Sequence, residues 1–315
     1  MYSKIIDIDY YLPKKVSLKK IFEKNNWNFN KTFKKTGIKF IRKSDQNTTA
    51  LDLALKASSK IAKKNRKKID GIIYITQSPE YNLPSGSCII QNRLNLSKKV
   101  MTFDINQGCS GFVYGLNLAS ALINNGTAKS ILLICSDTYT KYIDKKDKTC
   151  LPIFSDGASC TLINRSKYQK ILKFNFGTDG EGYKDLIVEN SGSHLNKSKS
   201  TKIFMDGKKV LMFTMSNIPD LIKDILKKNK ISINDIDHFI FHQASKTVLE
   251  NLIRKLKIDK KKVFVNILNI GNTVSSTIPI AFKQLIMKKK LKKDSLVLIA
   301  GFGVGYSMGA TIIKC

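Results

Sequence analysis

The chain repeats a pattern of strands and helices after about half its length. KKIDGIIYITQS (residues 67–78) is similar to NDIDHFIFHQAS (residues 234–245), because each has Ile-Asp, an apolar run and a polar end with Gln and Ser. Residues 103–137 and 264–303 share a second plan, in which a strand, a glycine turn, a helix and another strand follow one another. Such a repeat restricts the chain to folds built from two related α/β units.

The two similarities occur at nearly the same spacing. The offset is 167 residues for the first pair and 163 residues from Cys109 to Asn272 in the second. Chance likeness between ordinary strand–helix units is the competing explanation. We predict a duplication whose halves are residues 1–165 and 166–315. The full length of 315 residues suits either two domains or one large domain.

Alternating apolar strands and helices predict mainly parallel sheets covered on both faces. Ligands in such folds bind outside the carboxyl ends of the strands. Cys109, His242 and Asn272 are predicted to lie at such ends, and the repeat places Cys109 and Asn272 at equivalent positions in the two halves. The sequence therefore predicts one central site to which both halves contribute.

Cys109 precedes an apolar stretch with helical spacing, in DINQGCSGFVYGLNLASA. Gly108 permits a tight turn before it, and Gly111 and Gly115 would let another helix approach closely. The positive end of the helix dipole favours a thiolate, which is the nucleophilic form. The alternative is a cysteine that only packs in the core.

His242 and Asn272 can each donate one hydrogen bond from an uncharged group. Two such donors aimed at one point stabilise an oxyanion or enolate. With a cysteine as covalent carrier, they suit carbon–carbon bond formation on thioesters. Papain-like proteases also combine Cys, His and Asn, but their local cysteine signature is absent here. A structural histidine and a turn-forming asparagine are the plainer alternatives.

The formal net charge is +31, and nearly all of the basic residues are lysines spread along the chain. Solvated lysine-rich faces or attraction to an acidic partner would each explain this charge. Nucleic-acid readers usually concentrate Arg with aromatic residues on one face, so a nucleic-acid partner is disfavoured.

Six scattered cysteines form no metal-ligand cluster, so no metal is expected. The charged start is unlike a signal peptide, and free thiols in a reducing cytoplasm are expected. Residues 105–128 and 295–313 lack charge, but their Asn, Gln and Gly residues favour buried α/β segments over membrane spans.

The motifs together resemble the β-ketoacyl-acyl-carrier-protein synthase III family of the thiolase superfamily. The resemblance rests on a run of motifs that follow the family's order along nearly the whole chain: MYSKIIDIDYYLPKKV, KTGIK, LPSGSCIIQ, DINQGCSGF, FSDGAS, FHQAS, GNTVSSTIP and GFGVGYSMGA. It implies a five-layer αβαβα thiolase-like fold and a homodimer.

The resemblance also implies residue roles. Cys109 would carry the acyl group, while His242 and Asn272 would promote decarboxylation of a malonyl thioester and hold its enolate. The backbone N–H groups of Cys109 and Val304 would form a second oxyanion hole, although Val304 replaces a glycine usual in the family. Leu83 matches a position that reaches across the dimer into the partner's acyl pocket.

Other matched positions concern the carriers. Lys35 and Lys148 match residues that meet coenzyme A, and Lys246 stands beside Thr247, where a basic residue is usual. Lys31 replaces an adenine-stacking Trp, for which Trp27 or Phe33 could substitute. Arg254 and Lys255 are candidate contacts for an acidic acyl carrier protein.

The sequence thus predicts a condensing enzyme of fatty-acid initiation. An acyl group from coenzyme A or a carrier protein would move to Cys109 and then be joined to malonyl-acyl-carrier protein with loss of carbon dioxide. These thioesters are substrates, and no separate cofactor is expected. Two alternatives remain at this point: acyl transfer to a hydroxyl or amine by the same family, and a basic nucleic-acid-binding protein.

Overall fold

The computed structural model describes residues 1–195 and 198–315. Their regular elements alternate along the chain, as expected of an α/β protein. The helices are α1 (Leu18–Lys24), α2 (Phe29–Thr36), α3 (Ala50–Asn65), α4 (Gly86–Arg93), α5 (Gly111–Asn124), α6 (Gly207–Asn229), α7 (Lys246–Leu256) and α8 (Thr277–Met287). The strands are β1 (Tyr2–Tyr11), β2 (Lys14–Ser17), β3 (Phe40–Lys43), β4 (Gly71–Ile75), β5 (Met101–Ile105), β6 (Ser130–Asp137), β7 (Gly157–Ser166), β8 (Ile171–Thr178), β9 (Leu186–Ile187), β10 (Phe204–Met205), β11 (His238–Phe241), β12 (Leu296–Gly303) and β13 (Ser307–Lys314).

Two large sheets form the centre of the protein. The first has the strand order β1-β7-β6-β4-β5, and the second has the order β11-β12-β13-β8. The first sheet takes its strands from residues 2–166 and the second from residues 171–314.

Helices cover both sheets and fill the space between them. Helices α3 and α4 pack on the outer face of the first sheet, and α6 packs on the outer face of the second with α7 against it. Helices α5 and α8 lie between the sheets, where α5 contacts β4 and β12. The strand periodicity shows the same layering, since Ile73 faces α5 while Ile72 faces α3. The expected five layers are confirmed.

The expectation of mainly parallel sheets is wrong. Among the strands of the described residues, only β4 with β5, β4 with β6, and β11 with β12 are parallel pairs, whereas β1, β7, β8 and β13 pair antiparallel with their neighbours. The link from β12 to β13 is residues 304–306, which is too short for a crossover helix and permits only a hairpin.

The strand expected before Asn272 is also largely missing. Residues 264–266 are irregular, and only a bridge between Phe239 and Val263 remains. The Gln243 side chain donates to the carbonyls of Phe241 and Phe264 and accepts from the backbone N–H of Asn266. A side chain therefore supplies bonds that a fifth strand would make, and Asn272 lies in a turn instead of at a strand end.

Glycines let α5 approach the first sheet closely. A Cβ on Gly111 would lie 2.5 Å from Ile75 Cγ2, and one on Gly115 would lie 2.5 Å from Leu133 Cδ1. The close approach predicted for these glycines is to strands and not, as expected, to another helix. It fixes the start of α5, and with it the residue just before, against the sheet.

Candidate active site

Cys109 lies between the end of β5 and the start of α5, buried with 4% of its surface exposed. Strand β12 crosses close to it. A Cβ on Gly301 would lie 2.8 Å from the Cys109 carbonyl oxygen, and one on Gly303 would lie 2.9 Å from Sγ. The glycines therefore let the second half pass directly against Cys109, where a side chain would not fit.

The thiol of Cys109 is neutral at pH 7. Burial raises its pKa to about 12, and the backbone N–H of Val304, which points at the sulfur, opposes this only in part. The expectation that the helix start would favour a thiolate is therefore wrong for the resting protein. The thiol must give up its proton as it attacks.

The same N–H of Val304, with the N–H of Cys109 itself, lies against the sulfur. The structure thus brings together the two backbone groups that the family resemblance had paired.

His242 directly follows β11, and its backbone N–H donates to Ala300 O at 2.8 Å. The side chain is buried, and the Phe302 ring packs edge-on against it at 5.8 Å between centroids. Burial lowers the pKa of His242 to about 3, so the imidazole is neutral at pH 7. Nδ1 lies 2.8 Å from Thr277 Oγ1.

Asn272 is held in a turn that joins the two halves. Its backbone N–H donates to Ile153 O at 2.9 Å, and Ser155 N–H donates to its carbonyl at 2.8 Å. Its side-chain Oδ1 accepts from Val274 N–H at 2.9 Å, which fixes the carboxamide. Nδ2 therefore faces His242 Nε2, 3.3 Å away.

Cys109, His242 and Asn272 line one cavity of about 90 Å³. Its other walls are mostly apolar side chains, among them Phe154, Leu186, Met205, Val210 and Val248. One thiol, one neutral imidazole and one amide therefore meet in a mostly apolar space, where hydrogen bonds to a charged oxygen are strong.

Asp137 is a buried carboxylate near this cavity that the sequence did not single out. It lies at the end of β6 and accepts from Gln77 N–H at 2.8 Å and from Ser275 Oγ at 2.6 Å. Burial raises its pKa to about 7, and its charge in turn contributes to the raised pKa of Cys109. Asp137 ties the turn after Asn272 to the first half.

The predicted carrier contacts lie outside the cavity. Lys35 and Lys246 are exposed near its rim, since Thr247 Oγ1 donates to Lys35 O at 2.9 Å and the neighbouring Ser245 lines the cavity. Arg254 and Lys255 lie at the other end of α7. Arg254 donates to Asn251, and Lys255 donates to Met215 O at 2.7 Å. Leu83 is 86% exposed and lines no part of the cavity.

Of the two candidate substitute rings, Trp27 lies beside a predicted coenzyme A contact. Lys148 Nζ lies 5.1 Å from the Trp27 ring centroid. Phe33 instead stacks on Phe29 at 5.6 Å. Lys31 is exposed, and its backbone N–H donates to Oδ1 of Asn28, the N-cap residue of α2, at 2.9 Å.

Within residues 1–195 and 198–315, no helix is both long and apolar enough to cross a membrane. Over the same residues no group of His, Cys, Asp and Glu side chains is placed to hold a metal ion.

Two family models match the chain. Residues 103–180 match 3-oxoacyl-[acyl-carrier-protein (ACP)] synthase III, and residues 226–315 match the C-terminal region of the same family. The first range contains Cys109, and the second contains His242 and Asn272.

Individual proteins match over nearly the full length. The chain is 33% identical to a beta-ketoacyl-[acyl-carrier-protein] synthase III of Fusobacterium nucleatum, over 97% of this chain and 96% of that one. It is 35% identical to the protein of the same name from Clostridioides difficile, over 89% and 88%. A crystal structure of a 3-oxoacyl-(acyl-carrier-protein) synthase III covers 100% of both chains with a TM-score of 0.94 and 33% identity.

Proposed function

The chain belongs to the 3-oxoacyl-[acyl-carrier-protein] synthase III family, and we propose that Cys109, His242 and Asn272 perform its condensing reaction. The enzyme joins an acyl thioester to malonyl-acyl-carrier protein in fatty-acid initiation, releasing carbon dioxide and forming a 3-oxoacyl-acyl-carrier protein. The observation that carries the residue assignment is the shared cavity, in which these three side chains meet with almost no solvent exposure.

In the first half-reaction, Cys109 Sγ attacks the thioester carbonyl of the donor. The carbon–sulfur bond to the carrier breaks, and the carrier thiol leaves with the proton that the cysteine loses. The N–H groups of Cys109 and Val304 stabilise the oxyanion that forms between these two events. Covalent capture divides the condensation into two easier steps, and in this sense the enzyme is an acyltransferase.

In the second half-reaction, the malonyl thioester loses carbon dioxide and becomes an enolate. His242 Nε2 and Asn272 Nδ2 lie 3.3 Å from each other. An enolate oxygen placed near both atoms could therefore accept one hydrogen bond from each of them. The enolate carbon then attacks the acyl carbonyl carbon and breaks its bond to Cys109 Sγ, and the released thiolate takes up a proton from water to restore the thiol. A neutral histidine suits this role because its pKa lies far below the working pH.

The carriers are proposed to approach over basic surface. Lys35 and Lys246 are exposed by the cavity rim, and Lys148 with Trp27 offers a cation and a ring for coenzyme A. Arg254 and Lys255, at the far end of α7, are the candidate contacts for the acidic acyl carrier protein. Coenzyme A or carrier thioesters serve as substrates, and the mechanism uses neither a further cofactor nor a metal.

We also propose that the enzyme is a homodimer. Strand β5 is the last strand of its sheet in the part of the chain that the structure describes. Its Asp104 carboxylate accepts from the N–H groups of Gly86 and Ser87 at 2.6 and 2.8 Å, which ties the loop carrying Leu83 to this free edge. A partner pairing at the edge would cover Leu83, an exposed apolar side chain with no contact in its own cavity.

A cytoplasmic location is proposed from the thiols. All six cysteines, which lie within the described residues, are free. Free thiols persist in reducing compartments.

The proposed reaction is tested with the purified full chain, an acyl thioester and malonyl-acyl-carrier protein. We expect carbon dioxide release matched by formation of 3-oxoacyl-acyl-carrier protein, detected by mass spectrometry. Acyl transfer to a hydroxyl or amine without carbon dioxide release would contradict the proposal.

A further inference from the structure

Thr277 is a buried residue at the start of α8 whose hydroxyl touches the histidine of the site. Its Oγ1 lies 2.8 Å from His242 Nδ1 and 3.1 Å from Val274 O. A threonine hydroxyl carries one proton, so it can donate to only one of these two groups. If the hydroxyl donates to Val274 O, Nδ1 must carry the ring proton and Nε2 is an acceptor. If the hydroxyl donates to Nδ1, Nε2 carries the proton and is a donor.

Without substrate, one arrangement satisfies every group. Thr277 donates to Val274 O, His242 donates from Nδ1 to Thr277, and Nε2 accepts from Asn272 Nδ2. The opposite tautomer would set an N–H on Nε2 against the N–H of Asn272 at 3.3 Å, and neither of these two groups could accept from the other. Asn272 cannot turn its oxygen to that side, because Oδ1 is held by Val274 N–H.

With an enolate oxygen in place, the opposite arrangement fits. Nε2 then needs the ring proton in order to donate to that oxygen, and Nδ1 becomes an acceptor for the Thr277 hydroxyl. Val274 O loses little, because the backbone N–H of Thr277 still donates to it. The ring stays neutral and keeps one proton, since exchange with water adds one at Nε2 and removes one from Nδ1.

We propose that Thr277 is a positioning residue whose hydroxyl holds His242 Nδ1 in both tautomers, as acceptor without substrate and as donor when Nε2–H serves the enolate. The catalytic part of this inference rests on the proposed function, whereas the resting tautomer does not. Thr277 contacts no substrate in this scheme and acts only through His242.

The variant Thr277→Val keeps the shape and removes the hydroxyl, while Thr277→Ser keeps the hydroxyl. Thr273→Val is a matched control, because Thr273 is buried in the same turn and its hydroxyl has no hydrogen-bond partner among the residues that the structure describes. Histidine labelled with ¹⁵N reports the tautomer, and His242→Ala identifies the signal among the chain's three histidines.

We expect wild type, Thr277→Ser and Thr273→Val to show His242 protonated at Nδ1, and Thr277→Val to show a mixture of tautomers. Malonyl decarboxylation should fall at least about tenfold in Thr277→Val and recover in Thr277→Ser, as for the loss of one buried hydrogen bond. Acylation of Cys109 should change less than threefold by this reasoning.

The proposal is overturned if substrate-free wild type carries its proton on Nε2, a result that needs no variant to fold. It is also overturned if Thr277→Val decarboxylates like wild type, or if folded Thr277→Ser does not recover. Failure of the condensing function itself would look different, because wild type would then release no carbon dioxide while its resting tautomer stayed as expected.

Discussion

Asn272 Nδ2 lies 3.3 Å from His242 Nε2, and both side chains are buried in the cavity that contains Cys109. The two side chains are held in place by different halves of the chain. His242 follows a strand of the second sheet, whereas the Asn272 turn is bonded to Ile153 and Ser155 in the loop before β7. The proposed donors for the enolate therefore depend on the packing between the two halves.

Replacing either His242 or Asn272 by Ala should separate the two half-reactions. Each change removes one donor to the enolate, so malonyl decarboxylation should fall by roughly two orders of magnitude or more. Acylation of Cys109 should suffer much less, because the backbone donors of Cys109 and Val304 remain. Carbon dioxide release and acyl-enzyme formation are measured separately, and equal loss of both would show that the pair serves the nucleophile instead.

The pH dependence of decarboxylation offers a second check on His242. Its pKa is lowered from 6.5 to about 3, so the ring stays neutral from pH 8 down to about 5. Between these limits we expect no loss of rate from protonation of His242. A fall in the decarboxylation rate that is centred near pH 6.5 and disappears in His242→Gln would contradict this, because the ring would then titrate as an exposed histidine does.

Asp137 should give the folding stability a recognisable pH dependence. Its pKa is raised from 3.8 to about 7 in the folded protein, so the folded state binds the proton more tightly than the unfolded chain. The stability that this provides is complete below about pH 4 and is lost as the pH rises to about 7, up to about 4 kcal/mol at 1.36 kcal/mol per pH unit.

The measurement is the free energy of unfolding of wild type and Asp137→Asn between pH 4 and 8. The difference between them should change steadily over that range, whereas Asp224→Asn, at an exposed site on α6, should track wild type. A difference for Asp137→Asn that does not vary with pH would contradict the assignment.

The preferred acyl donor is a prediction that rests on the absence of the family's adenine-stacking Trp. With Lys31 at that position, coenzyme A binding should be weaker by about one to two orders of magnitude, by analogy with base stacking of about 1–3 kcal/mol. The enzyme should therefore favour carrier-bound acyl donors. The test compares Cys109 acylation by the same acyl chain on each carrier at matched ionic strength.

A clear preference for the coenzyme A thioester would refute that prediction. The Trp27 ring, 5.1 Å from Lys148 Nζ, would then be the substitute platform. In that case Trp27→Ala should abolish the preference, while Phe33→Ala, whose ring already stacks on Phe29, should leave it in place.

The repeat in the sequence predicted a duplicated α/β unit and one central site for Cys109, His242 and Asn272, whereas the five layers were implied by the family resemblance. Strand and glycine patterns are local signals, and the duplication relates them across the chain. Strand direction was not predictable, because it depends on whether a link such as residues 304–306 leaves room for a helix.

The contacts of Thr277 and Asp137 were not predictable from the sequence for another reason. Their partners His242 and Ser275 lie 35 and 138 positions away, and each bond exists only once the layers are packed. The raised pKa of Cys109 was likewise not predictable, because a helix start is visible in the sequence but the depth of burial is not.

Intact-protein mass spectrometry after incubation with a panel of acyl thioesters tests the role of Cys109 as the acyl carrier. The full chain should gain the mass of one acyl group, a peptide map should place it on Cys109, and Cys109→Ala should gain none. The exposed Cys88 provides a comparison, since Cys88→Ala should label like wild type. An acyl group found on another cysteine, with Cys109 unmodified, would contradict the assignment.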